Sequence, residues 1–278
     1  MIADARGPID YDESGEGPTI VLVPGSCSTG AAWRPIITHL RDEFRCVTTS
    51  LPGYGGTAER RSRNDADIVA EADILEQVIR HTGGPVHLVG HSFGGLIALA
   101  VAMRHPEWLR SLAILEAPAI EILQESGEDR LYGEFRTMAG AYAAAHEAGE
   151  PHAIERMIDF FGGAGTFRSW PQRVRDYAVA TTPANLLDWT CAFGFALTPA
   201  LLADVTPRTL VAWGELSHPA AKRANQLVGQ HLPKATVAEI PGAAHFMIAT
   251  HPKQVADMIA QHIARADHSD RSTALLVE

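Results

Sequence analysis

Residues 86–104, VHLVGHSFGGLIALAVAMR, run from an aliphatic stretch through G-H-S-F-G straight into a second apolar stretch of helical length. A buried strand that turns at once into a helix needs a sharp reversal, and Gly90 and Gly94 let the backbone make it. The turn would hold the Ser92 hydroxyl above the carboxyl edge of a sheet, next to the unpaired N–H groups and positive dipole end of the following helix. The plainer reading is a glycine turn with a helix-capping serine. The strand–turn–helix context favours a nucleophile.

Other short β-branched or aliphatic runs stop at turn residues in the same way: TIVLVPG at Pro24-Gly25, RCVTTSLPGYGG from Arg45 into a glycine-rich loop, SLAILEAP at Pro118, RTLVAWGE near Gly214 and ATVAEIPGAAH near Gly242. Near-continuous apolar runs are expected of strands covered on both faces of a parallel sheet. Helical patterns lie between them. Residues 65–81 carry Ile68, Ala72, Leu75 and Ile79 on one stripe, ended by Gly83-Gly84. Residues 92–104 follow the serine, and residues 252–264 open on a proline and repeat Val255, Ile259 and Ile263. The expected fold class is α/β, a mostly parallel doubly wound sheet flanked by helices.

Residues 119–204 break the alternation. They show no good strand pattern, whereas RLYGEFRTMAGAYAAAHEAGE, HAIERMIDFFGG and WPQRVRDYAVA look helical. A structureless loop of that length does not suit a compact domain. The expectation is a core of residues 1–118 and 205–266, a helical lid of residues 119–204 inserted between the sixth and seventh strands of the pattern, and a flexible tail of residues 267–278.

The formal net charge of −10 argues against nucleic acid or an anionic membrane as partner, and Arg60, Arg61 and Arg63 form only a short basic patch. The N-terminal residues, with Asp4 and Arg6 and no apolar core, do not read as a signal peptide. The longest apolar run, residues 96–103, is too short to span a bilayer. Three scattered cysteines, Cys27, Cys46 and Cys191, fit reduced thiols in a cytoplasmic protein better than disulfides or a zinc site. The 13 histidines read as dispersed surface and loop residues, His87 and His91 on a strand among them.

A serine hydroxyl needs a base to take its proton. His245, in IPGAAHFMIATHP after the last strand run, can reach the same sheet edge; His251, at the next helix start, is the weaker candidate. Together these segments resemble the α/β-hydrolase superfamily over about residues 9–264. VLVPGSCSTGAAW resembles the loop after that family's third strand, LPGYGGT the loop after its fourth, GHSFGG the nucleophile elbow and PGAAH the histidine loop. The resemblance implies an oxyanion hole from the backbone N–H groups of Phe93 and Ser26. Pro24 replaces the family's usual histidine, which leaves backbone donors in place.

The acid departs from the common pattern. Ser217 stands where most relatives carry aspartate after their seventh strand, and a serine cannot offset an imidazolium as a carboxylate does. Glu116, ending the sixth strand run, is the candidate, because neighbouring strands lie about 4.8 Å apart and both ends are within reach of one histidine. Glu215 is the alternative, and an incomplete triad is the third. Ser92, His245 and Glu116 would make a serine hydrolase that forms an acyl-enzyme from a small apolar ester, lactone or related carbonyl substrate. The alternatives are a cofactor-free C–C bond hydrolase of ring-cleavage products and a receptor-like binding protein with little turnover. No cofactor or metal is expected; the partner is a small molecule, and association between copies of the chain stays open. The insertion's Phe160, Phe161, Phe167, Trp170, Trp189, Phe193 and Phe195 could line a pocket, or form the insertion's own core, the expectation for most of them.

Overall fold

A computed structural model describes residues 1–274. Its sheet has seven strands in the order β1-β3-β2-β4-β5-β6-β7: β1 (Asp12–Ser14), β2 (Thr19–Val23), β3 (Arg45–Thr48), β4 (Val86–His91), β5 (Leu109–Leu115), β6 (Arg208–Gly214) and β7 (Ala235–Ile240). All neighbours pair in parallel except β1, which runs antiparallel to β3. β1 has no counterpart in the sequence reading. Its three residues, Asp-Glu-Ser, are all exposed and carry no apolar alternation.

Helices cover both faces. On one lie α1 (Arg34–Leu40) and the C-terminal helix, and on the other α2 (Ile68–Thr82) and α3 (Phe93–Arg104). The α2 stripe Ile68, Ala72, Leu75 and Ile79 is buried; Asp67 caps the helix by accepting from the Val69 N–H, and Gly83 ends it at φ 88°. The chain steps outward from β2 to β3, then crosses back to β4. The loops after β2 and β4 therefore leave the sheet side by side at its carboxyl edge, where an open α/β sheet forms its crevice.

The sixth and seventh strand runs of the sequence are β5 and β6. Between them stand α4 (Glu121–Glu125), α5 (Asp129–Glu147), α6 (Glu155–Gly162), α7 (Thr166–Ser169), α8 (Gln172–Ala180), α9 (Thr182–Gly194) and α10 (Pro199–Ala203). After β6 come α11 (Pro219–His231), then α12 (Met247–Thr250) and α13 (Pro252–Ala274). α13 runs past the expected stop near residue 264, into the stretch read as a flexible tail. Ala266 is buried, and Asp267 Oδ1 lies 3.7 Å from His87 Nε2, so the helix still has contacts to keep. The last four residues of that tail lie outside the described residues. Among the described residues, no helix is long and apolar enough to cross a membrane.

Candidate active site

Among the described residues, three that are not glycine have a positive φ: Cys27 (57°), Ser92 (53°) and Glu116 (50°). Such conformations cost about 1–3 kcal/mol each and persist only where the surroundings enforce them. Cys27 is in the loop after β2, Ser92 ends β4 and Glu116 ends β5, so the strain collects at one sheet edge. The sheet itself holds two of them: the Ser92 N–H donates to Leu115 O at 2.9 Å and the Glu116 N–H to Ala212 O at 2.8 Å. Close packing around the turn explains its glycines. A Cβ on Gly94 would lie 2.3 Å from Pro24 O, and one on Gly90 2.3 Å from Gly94 O.

The register of β4, β5 and β6 sets Ser92 beside Glu116 and Glu116 beside the end of β6. His245 arrives from the loop after β7. Its Nε2 lies 2.9 Å from Ser92 Oγ and its Nδ1 2.8 Å from Glu116 Oε1. A carboxylate only accepts, so Nδ1 carries the hydrogen and the Nε2 lone pair faces the hydroxyl. Glu116 and His245 are buried. The second carboxylate oxygen, Oε2, accepts from Ser217 Oγ at 2.5 Å and from the Gly214 N–H at 3.1 Å. Glu215 is elsewhere: it is exposed, and its Oε2 accepts from the Gly242 N–H at 2.8 Å. His251 is also apart, its Nδ1 2.8 Å from Thr250 Oγ1.

Ser26 and Phe93 line the same cavity as Ser92, and among the described residues neither backbone N–H has a hydrogen-bond acceptor. The cavity measures about 400 Å³. Of the seven aromatic residues named above, Phe161, Trp170 and Trp189 line it. Phe160 instead stacks on His218 at 3.9 Å, Phe167 is buried, and Arg136 lies 5.0 Å over the Phe193 ring. The lining residues Pro171, Val174, Ala249 and Thr250 are exposed, whereas Asn185, Asp188 and Trp189 are buried.

The sequence model of the alpha/beta hydrolase family matches residues 20–258. The chain belongs to that family. A pimeloyl-(acyl-carrier protein) methyl ester esterase of Aeromonas hydrophila subsp. hydrophila is 24% identical over 275 residues, covering 92% of this chain and 99% of its own. Among solved structures, a thermophilic esterase from Thermogutta terrifontis superposes with a TM-score of 0.72 at 22% identity, over 93% of each chain. An enol-lactonase from Burkholderia xenovorans gives 0.73 at 19% identity, over 92% of this chain and 96% of its own. These structural likenesses concern the fold.

This alpha/beta hydrolase also holds a buried polar cluster that its sequence does not reveal. Asp188 on α9 accepts from Ser26 Oγ and Tyr54 Oη, both at 2.6 Å, and from Arg61 Nη1 at 2.6 Å. Arg61 also meets Glu59 at 2.8 Å and lies 2.7 Å from Glu71 Oε1. The expected basic patch is thus divided: Arg63 is exposed, whereas the Arg61 side chain is 1% exposed and encircled by three carboxylates. One guanidinium cannot neutralise three acids, two of which, Glu71 and Asp188, are buried. Burial pushes the Glu71 carboxyl up to about 8 against the pull of Arg61, and burial likewise raises Asp188. The Cys27 thiol, beside the cluster, is pushed up to about 12 by burial and then by Asp188, which leaves it unreactive.

Three histidines of this hydrolase also depart from the surface reading, buried His262 on α13 among them. His87 is buried with Nδ1 2.9 Å from Ser111 Oγ. His91, beside the serine, is buried and donates from Nε2 to the backbone O of His245 at 2.8 Å. Burial, then the neighbouring His245, lowers the His91 pKa to about 3, so the ring is a neutral brace for the histidine loop. Of all these residues only the sequence-adjacent His91 carried a local signal, its place inside the G-x-S-x-G turn.

Proposed function

We propose that the chain is a serine hydrolase that cleaves a small apolar ester or lactone through an acyl-enzyme. Ser92 attacks the carbonyl carbon while His245 Nε2 takes the hydroxyl proton. Glu116, on Nδ1, fixes the tautomer and offsets the charge of the imidazolium as it forms. The Ser26 and Phe93 N–H groups hold the oxyanion. His245 then gives its proton to the leaving oxygen, and a water activated by the same imidazole releases the acid. The helices between β5 and β6 serve as the lid that gives the cavity its apolar wall.

The observation that carries this reading is the unbroken relay Ser92 Oγ–His245–Glu116, at 2.9 and 2.8 Å. A receptor-like role drew its support from the serine at 217; with Glu116 on the imidazole that support falls away. A fluorophosphonate probe tests the proposal. Rapid labelling of Ser92, lost in His245→Ala, is the expected result, together with turnover on a panel of acyl esters and lactones. No labelling and no turnover would overturn it.

A further inference from the structure

The α9 side of the cavity contains a polar group that the relay does not use. Asn185, in the first turn of α9, is 1% exposed, lines the cavity, and has a buried side-chain oxygen with no hydrogen-bond partner. A buried amide oxygen without a partner is a standing cost, and native structures rarely carry one.

Most of the other polar side chains around the cavity are engaged. Ser26 donates to Asp188, and Ser28 donates to Gly25 O. His91 donates to the His245 carbonyl, and Thr250 donates to Phe246 O. Asp188, one turn further along α9, already accepts from three side chains. Asn185 is therefore the amide left to meet a ligand. An apolar residue would fill the position at no such cost.

The charges around the cavity narrow the ligand further. No Lys or Arg is among the residues lining it, and the one carboxylate there, Asp188, has its charge met by Arg61. A charged ligand would lose its hydration with nothing to replace it. We propose that Asn185 anchors a neutral substrate whose apolar body carries a single hydrogen-bond donor, a hydroxyl or an N–H, separate from the carbonyl that Ser92 attacks. The proposal deepens the hydrolase reading and rests on it for the position of that carbonyl.

Binding to Ser92→Ala protein tests the anchor without turnover. The probes are methyl octanoate and methyl hydroxyoctanoates whose single hydroxyl is stepped along the chain. Quenching of Trp170 and Trp189, which line the cavity, reads occupancy. One hydroxyl regioisomer should bind about tenfold more tightly than methyl octanoate, and adding Asn185→Leu should bring the two within about twofold. The free acid of that regioisomer should bind at least about tenfold more weakly than its methyl ester. Should Asn185→Leu fail to fold, Asn185→Ala gives the same comparison.

Equal binding of all the esters, or a hydroxyl preference that survives loss of the amide, overturns the anchor. A free acid that binds as well as its ester overturns the neutral substrate. Fluorophosphonate labelling separates the two proposals. Labelled Ser92 with no hydroxyl preference sinks the anchor alone. Unlabelled Ser92 with a preference that Asn185→Leu abolishes sinks the hydrolase reading alone.

Discussion

The Ser217 hydroxyl donates to Glu116 Oε2 at 2.5 Å, on the oxygen that faces away from His245. With the Gly214 N–H on the same atom, it fixes the carboxylate plane so that Oε1 points at the imidazole. Glu116→Gln should therefore keep the fold and lower turnover by roughly 10³ to 10⁴. Ser217→Ala, which removes one donor and no charge, should lower kcat about tenfold with KM little changed. Ser217→Asp sets a second carboxylate against a buried one and should cost more than Ser217→Ala. Steady-state kinetics on any accepted ester checks the order.

Ser92→Ala should abolish turnover, a loss of several orders of magnitude, while binding in the cavity is retained. Activity within about tenfold of the parent would remove Ser92 from the mechanism. Calorimetry with a non-hydrolysed ester analogue reads the retained binding.

Asp188 on α9 ties that helix to Ser26, Tyr54 and Arg61. Asp188→Ala takes the acceptor from Ser26 Oγ and Tyr54 Oη and one of the carboxylates from the buried Arg61 guanidinium. It should destabilise the protein by about 3–5 kcal/mol in urea unfolding. Asp188→Asn keeps an acceptor for part of the set and should lose less. If both variants unfold with the parent, the cluster contributes nothing to stability.

Glu71 gives the cluster a pH signature. Its carboxyl is raised in the folded state, so between about pH 4.5 and pH 8 the folded protein holds a proton that the unfolded chain has released. Stability consequently falls as pH rises through that window and levels off above it. Glu71→Gln mimics the protonated form and should remove this loss. The melting temperature of the variant should move above that of the parent by a few degrees from pH 5 to pH 8. A gap that stays constant across the window would contradict the raised carboxyl.

The sequence was legible where local chemistry and periodicity coincide. The apolar runs marked β2 through β7, Gly83 marked the end of α2, and the glycines around Ser92 marked the turn. β1 escaped because three exposed polar residues carry no pattern. Glu116 could be named because strand spacing limits which ends reach one histidine, and that residue does lie 2.8 Å from the imidazole. Asp188, Arg61 and Asn185 could not be read. They meet across 127 residues of chain in the case of Asp188 and Arg61, and nothing in TPANLLDW or AERRSRN distinguishes a buried partner from a solvated charge. His91 was misjudged for a related reason: a histidine on a strand declares its burial only through the element that covers it.

The left-handed backbone at Ser92 and Glu116 has a further consequence. At such φ values glycine is the residue that fits without penalty, and each side chain here is kept at a backbone cost. At Glu116 the side chain offsets that cost, since its loss would orphan the Ser217 hydroxyl, the Gly214 N–H and His245 Nδ1. At Ser92 only the contact with His245 stands against it, so a version of this chain with glycine there should melt at a higher temperature than the natural one and lack the hydroxyl. Screening for heat resistance alone should therefore drift toward that one glycine, selecting an inert protein.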